Sequence, residues 1–220
     1  MKQKISGLIL ILSLFLTACK LEAQPFANEI AQFSKQDSLQ MPVQHAILFT
    51  GSSSFRMWDS LAFDFPEHTL INRAFGGSTI PNLIEYADKV IFKYKPKQIL
   101  IYCGDNDLAS SEDIKAKDVL KRFTTLFNMI RTELPDAQIT YVSIKPSPSR
   151  IHLFQEMNEA NQMIQKFLEE KHHTAFVDVF HAMLDEKGQP DSSLFISDQL
   201  HMNRKGYAIW QKLIEPVLLP

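Results

Sequence analysis

Four short polar segments hold the residue types from which catalysis could be built: Gly51-Ser52-Ser53-Ser54, Gly76-Gly77-Ser78-Thr79, Gly104-Asp105-Asn106-Asp107 and Asp198-Gln199-Leu200-His201. They supply hydroxyls, a side-chain amide, carboxylates and an imidazole. A serine hydroxyl is a poor nucleophile at neutral pH unless a base lies within hydrogen-bond reach. Each segment also has an ordinary structural account. Gly-Ser residues after a strand often form a turn and a helix N-cap. Gly76-Gly77 taken alone is a turn. Asp105-Asn106-Asp107 could cap a helix or join an acidic calcium loop, but it lacks the sixth-position glycine and distal glutamate of an EF-hand. Asp198-x-x-His201 could be a cap or a salt bridge. No P-loop follows Gly51 and no Gly-x-Gly-x-x-Gly occurs, which disfavours phosphate and hydride chemistry.

The elements around these segments decide whether they can meet. Short apolar runs at His45–Thr50, Thr69–Asn72, Gln98–Cys103, Gln138–Ile144 and Ala175–Val179 read as strands. Helix-like stretches lie near 54–62, 81–94, 113–134, 153–172 and 204–215. Phe26, Ile30 and Phe33 recur at helical spacing and predict a leading helix, ended by Met41-Pro42. Continuous apolar strands alternating with helices imply an α/β fold, a central parallel sheet covered on both faces. Ligands in such sheets bind at the carboxyl ends of the strands. Three of the segments lie just after predicted strands and the fourth lies before the last helix, so all four can converge on one rim.

The order and positions of the four segments resemble the conserved blocks of the SGNH, or GDSL, hydrolase family. The first block matches Gly51-Ser52-Ser53-Ser54, although the family commonly has Asp at position 52 and Leu at 54. Gly77 matches the second block. Gly104 to Asp107 match Gly-x-Asn-Asp, and Asp198 and His201 match Asp-x-x-His. The resemblance spans about residues 43–215. It implies a three-layer α/β/α sandwich of flavodoxin-like type, with about five parallel strands.

The resemblance also implies an esterase that works through an acyl-serine intermediate. Ser53, flanked by Ser52 and Ser54, would be the nucleophile, because it stands two residues after Gly51. His201 would act as base and Asp198 would orient it. The oxyanion hole would comprise the backbone N–H groups of Ser53 and Gly77 and the side-chain amide of Asn106. Arg73 and Asp107 are candidates to brace the site. Phe55, Met57, Trp58 and Phe75 read first as core, with an acyl-pocket role open. His45, His68, His152 and His181 show no partner pattern, and His172-His173 reads as a favourable helix C-terminus. Candidate substrates are carboxylic esters of carbohydrates or lipids, including O-acetylated sugars. An O-acyltransferase and a catalytically silent surface binding protein are the rivals. No metal or organic cofactor is implied.

Composition sets the remaining bounds. At 220 residues, 45% hydrophobic and 22% charged, the chain fits one globular domain. A net charge of −2 without a long basic run gives no footing for nucleic-acid binding. Lys2 and Lys4, an apolar stretch from Ile5 to Leu16, and then Thr17-Ala18 have the layout of a secretory signal peptide over residues 1–18. The stretch is shorter than the ~20 residues that span a bilayer. Leu16-Thr17-Ala18-Cys19 resembles a bacterial lipobox, which implies lipidation at Cys19; the alternative is ordinary cleavage elsewhere, for instance after Ala23, with Cys19 discarded. The expected product is an exported lipoprotein with a tether over 19–25 and a hydrolase domain over 26–220. Cys103 would then be a lone buried thiol.

Overall fold

The computed structural model describes residues 25–220. The expected signal peptide, Cys19 and the expected tether up to Gln24 lie outside the described residues. Among the described residues, no helix is long and apolar enough to cross a membrane.

Five parallel strands form one sheet: β1 (Ile47–Gly51), β2 (Leu70–Asn72), β3 (Gln98–Tyr102), β4 (Gln138–Val142) and β5 (Thr174–Val177). Their order is β2-β1-β3-β4-β5. The chain leaves β1 toward one edge to make β2, then returns to the other side of β1 for β3. The direction of winding therefore reverses between β1 and β3, where Gly51 pairs with Tyr102. That reversal is the switch point at which open α/β sheets leave a crevice.

Alternation along the strands builds two cores. Leu48, Ile99, Ile101, Ile139 and Tyr141 face one side, packed by α7 (Ala116–Glu133) and α8 (Phe154–Glu169). Ile47, Phe49, Leu100, Tyr102 and Val142 face the other, packed by α9 (Arg204–Ile214). All residues of β1 and β3 are buried, which explains why they read as unbroken apolar runs. The expected three-layer α/β/α sandwich is the observed fold.

The strands are shorter than the sequence suggests, for local reasons. His45 sits at φ 61, a left-handed conformation that cannot continue a strand. Asn161 takes the backbone N–H and C=O of Ile144 at 2.7 and 2.9 Å, which ends β4. The Ser143 hydroxyl accepts from the N–H groups of Val179 and Phe180 at 2.9 and 3.0 Å, which ends β5.

Two expected helices are broken. The stretch near 54–62 becomes α2 (Ser53–Arg56) and α3 (Leu61–Asp64). Trp58 interrupts it by inserting among Phe49, Phe55, Phe65, Tyr207 and Trp210, with ring centroids 5.0–6.4 Å away. The stretch 81–94 becomes α4 (Ile80–Glu85), α5 (Ala87–Val90) and a 3₁₀ turn at Phe92–Tyr94 closed by left-handed Lys95. The leading helix is present as α1 (Ala27–Leu39). A short helix that the sequence reading did not include, α6 (Asp105–Ala109), follows β3. Cys103 is a buried free thiol, and burial pushes its pKa up.

Asp64 holds the second core to α9. Its buried carboxylate accepts from Arg204 at 2.5 Å on each oxygen, from Trp58 Nε1 at 2.6 Å and from Ser60 at 2.7 Å. Burial works to raise this carboxyl, but the hydrogen bonds outweigh it and hold the pKa below the usual carboxylate value. The stability it supplies is therefore complete above the unfolded carboxylate range, near pH 3.9, and is lost as pH falls below that. Asp64→Ala is expected to cost about 2–3 kcal/mol at pH 7, since Arg204 is half exposed and part of the pair is screened. Urea unfolding of both proteins at pH 7 and pH 3 checks this, with the difference shrinking at the lower pH.

Candidate active site

The site is built where β1 and β3 end. Gly51 closes β1 at φ 125, and a Cβ there would lie 2.0 Å from the Tyr102 carbonyl oxygen. Only glycine permits this close approach. The chain then turns at once, with Ser52 N–H donating to Tyr102 O at 2.9 Å, and Ser53 opens α2. The three adjacent serines meet different fates. Ser52 and Ser54 are each 1% exposed, whereas Ser53 is partly exposed. Its hydroxyl lies 2.9 Å from His201 Nε2.

Asp198 and His201 come from the loop before α9. His201 Nδ1 lies 2.6 Å from Asp198 Oδ2. The other carboxylate oxygen accepts from the backbone N–H groups of Leu200 and His201, both at 2.9 Å. Gln199 between them is left-handed, φ 54, which curls the four residues so that carboxylate and imidazole face the same way. Ser149 N–H to Gln199 O, 3.1 Å, and Ile196 N–H to His201 O, 2.9 Å, pin the loop. Burial works to raise the Asp198 carboxyl, but the hydrogen bonds from the His201 side chain and backbone and from Leu200 hold it down to about 2.

On the opposite flank, Gly77 adopts φ 73 with open space where a Cβ would be. Its loop is tied back by Ser78 Oγ and Phe75 N–H, both donating to Gly51 O at 2.9 Å. Asn106, on α6, donates from Nδ2 to Ser52 Oγ at 2.6 Å and to Ser78 O at 3.1 Å. Thus Asn106 links the first and second blocks directly. The structure brings together Ser53, Asp198, His201 and Asn106, with Gly77 on the same rim.

Asp107 and Arg73 sit behind this rim. Asp107 is fully buried and accepts from Ile80 N–H at 3.0 Å and Arg122 at 2.7 Å. Desolvation raises its pKa against those two contacts. Arg73 turns toward Tyr94 and Asp37, each at 2.6 Å. Phe55, Trp58 and Phe75 are core residues, and Met57 is half-buried.

The sequence reading missed a cation beside Asn106. Arg150 Nη2 donates to Asn106 Oδ1 at 2.9 Å, and its Nη1 lies 3.0 Å from Asp105. Buried Lys145 also approaches Asp105, at 3.7 Å, and donates to the Tyr102 hydroxyl at 3.2 Å. Burial depresses the Lys145 ammonium, opposed by Asp105. The only signal was a Pro- and Ser-rich run, Lys145 to Arg150, just past the end of β4.

Two histidines without a partner pattern in the sequence do have partners: His68, whose ring lies 3.5 Å from Glu215 and 3.2 Å from Leu219 O, and His181. His181 Nδ1 lies 2.6 Å from Asp178 Oδ2, with the same Asp-x-x-His spacing as the pair at 198 and 201. This pair is largely exposed, 63% and 45%, and His201 is the one that meets Ser53. His172 and His173 lie beyond the end of α8 at Glu169 rather than in its last turn.

The fold and the site define a class, the α/β/α hydrolases with a serine at the sheet's switch point. The family model of the GDSL-like lipases and acylhydrolases matches residues 44–209, and the chain belongs to that family. It is a hydrolase of carboxylic esters. Solved structures agree on the fold. A candidate platelet activating factor protein from Streptococcus pneumoniae superposes with TM-score 0.76 at 20% identity, covering 87% of this chain and 92% of that one. A GDSL-like lipase from Bacteroides thetaiotaomicron gives 0.73 at 18% identity, over 87% and 97%. An acetyl xylan esterase variant from Geobacillus stearothermophilus gives 0.64 at 14% identity, over 80% and 95%. No curated protein matches the sequence.

Proposed function

We propose that this chain is a serine esterase that cleaves short-chain acyl esters, O-acetyl carbohydrates foremost, through an acyl-serine intermediate. The observation that carries the reading is the unbroken chain from Ser53 Oγ to His201 Nε2, 2.9 Å, and from His201 Nδ1 to Asp198, 2.6 Å. His201 takes the Ser53 proton as the hydroxyl attacks the carbonyl carbon, then gives it to the departing alcohol. Water attacks the acyl-serine by the same route in reverse. Asp198 fixes the imidazole tautomer and stabilises the imidazolium.

The oxyanion is held by the N–H groups of Ser53 and Gly77 and by the Asn106 amide. Both Asn106 amide protons have partners at rest, so one bond must be exchanged. The 3.1 Å contact to Ser78 O is the cheaper to give up, and such hydrogen bonds commonly rearrange when substrate enters. The partly exposed setting of Ser53 and His201 supports water as the acceptor. The acetyl xylan esterase among the neighbours supports an acetylated sugar as the substrate class. We further propose that the protein is an exported lipoprotein, anchored through Cys19 by acyl chains worth about 0.8 kcal/mol per buried methylene.

Hydrolysis of p-nitrophenyl acetate, butyrate and octanoate tests the substrate reading. kcat/KM is expected to fall about tenfold or more from acetate to octanoate, the size of effect a poorly accommodated chain produces. A rise toward octanoate would point to lipid esters instead. Release of acetate from acetylated xylo-oligosaccharides, with acceptor sugars present and absent, separates hydrolysis from transfer.

A further inference from the structure

Helix α1 lies outside the matched family segment, 44–209, yet its contacts converge on the Gly76–Gly77 loop. It is a poorly buried helix whose one buried residue is Ile30. Ile30, Phe26 and Phe33 pack on the core, and polar contacts add to them. Asp37 accepts from Arg73 and Tyr94 at 2.6 Å and pairs with Lys93. Arg73, stacked over Phe33 and Tyr94, directly follows β2 and leads into the loop. Eight residues earlier, about 12 Å along the axis, Glu29 reaches the loop itself. Its two carboxylate oxygens receive the Gly76 N–H at 3.2 and 3.3 Å. Phe26 meets Phe75 edge-on at 5.1 Å, and Pro25 O accepts from Tyr86 at 2.8 Å.

Two consecutive glycines form a peptide that can flip at little cost, and a flipped Gly77 N–H would point away from the reacting carbonyl. Three contacts brace the backbone on either side of that peptide. Glu29 holds the Gly76 N–H. The Arg56 guanidinium packs so closely that a Cβ on Gly76 would lie 2.7 Å from its Nε, and it lies 3.7 Å from Glu29. Ser78 ties the far side of the loop to Gly51 O.

We propose that α1 is a working part of the active site and that Glu29 is a positioning residue, which fixes the Phe75–Gly76 peptide and so the place from which the next peptide presents the Gly77 N–H to the oxyanion. This inference rests on the assignment of Gly77 as an oxyanion donor. Full loss of one donor costs about 10²–10³-fold. Loosening one costs less, and the loss falls on the transition state alone.

The test measures kcat, KM and Tm on p-nitrophenyl acetate with the intact chain. Glu29→Ala is expected to lower kcat about tenfold, with KM changed less than about twofold. Glu29→Gln keeps an acceptor for the Gly76 N–H and is expected to retain kcat within about threefold. Glu29→Leu, also without an acceptor but closer in volume, must behave like Glu29→Ala, and it replaces that variant should Ala fail to fold. Unchanged kcat in both acceptor-free variants overturns the proposal. So does a loss carried by KM, or an equal loss in Glu29→Gln. Ser53→Ala and Asn106→Ala run alongside. If Ser53→Ala remains active, the assignment of Ser53 as the nucleophile of the proposed mechanism fails. If those two controls lose activity while Glu29→Ala keeps it, only the role of α1 falls.

Discussion

Ser53→Ala is expected to lower kcat/KM by at least about 10⁴-fold on any ester the protein turns over, with the fold intact. Nothing nearby can substitute for its hydroxyl. Ser52 and Ser54 are buried, and Ser52 Oγ is already engaged by Asn106 at 2.6 Å. His201→Ala should cost about as much, and the double variant no more than either, because nucleophile and base act as one unit. In the proposed mechanism Asp198 contributes less, since it would orient the base rather than react. Its carboxyl, held at about 2, is depressed. The interaction it supplies is thus present above the unfolded carboxylate range and fades only as pH falls through about 2. A fall in rate between pH 4 and 7 must therefore come from another group. Steady-state kinetics over that range, with circular dichroism to verify folding, checks both statements.

The second large effect belongs to Asn106. In the proposed mechanism Asn106→Ala removes the side-chain oxyanion donor, and it should lower kcat by about 10²–10³-fold with little change in KM. Arg150 decides whether that amide is usable. An amide can present either its NH₂ or its oxygen, and the 2.9 Å bond from Arg150 to Oδ1 forces the NH₂ toward Ser52 and the reacting carbonyl. Arg150→Gln weakens that bias and leaves Asp105 facing Lys145 alone. A fall in kcat of about tenfold is expected, again with KM nearly unchanged. In Asn106→Ala the Arg150 substitution should have almost no further effect, since the group it orients is gone. A double-mutant cycle measures that coupling. Full additivity would assign Arg150 a role independent of Asn106.

Much of this architecture is legible in the chain. β1 and β3 are buried on both faces, so their residues form unbroken apolar runs, and the blocks at 51, 104 and 198 stand beside elements that such a sheet must converge. What escapes is set by long-range packing. Arg150 reaches Asn106 across 44 residues and Glu29 reaches Gly76 across 47. No periodicity encodes those distances. Trp58 breaks an otherwise helical stretch because aromatic rings from β1 and α9 surround it, a condition invisible in the local sequence. The twin pairs Asp178–His181 and Asp198–His201 are alike in spacing and in bond length. Position on the fold alone separates them, because only the second has been placed against a serine hydroxyl.

The central claim is that Ser53 is the atom-bearing nucleophile of an acyl-enzyme. Intact-protein and peptide mass spectrometry after reaction with diisopropyl fluorophosphate tests it most directly. The reagent mimics the tetrahedral state and is captured only by a serine with a base beside it and donors for the developing charge. The predicted result is one adduct per chain, on Ser53, absent from Ser53→Ala and greatly slowed in His201→Ala. An adduct on Ser52 or Ser54, or turnover of esters by a protein that the reagent leaves unmodified, would contradict the account.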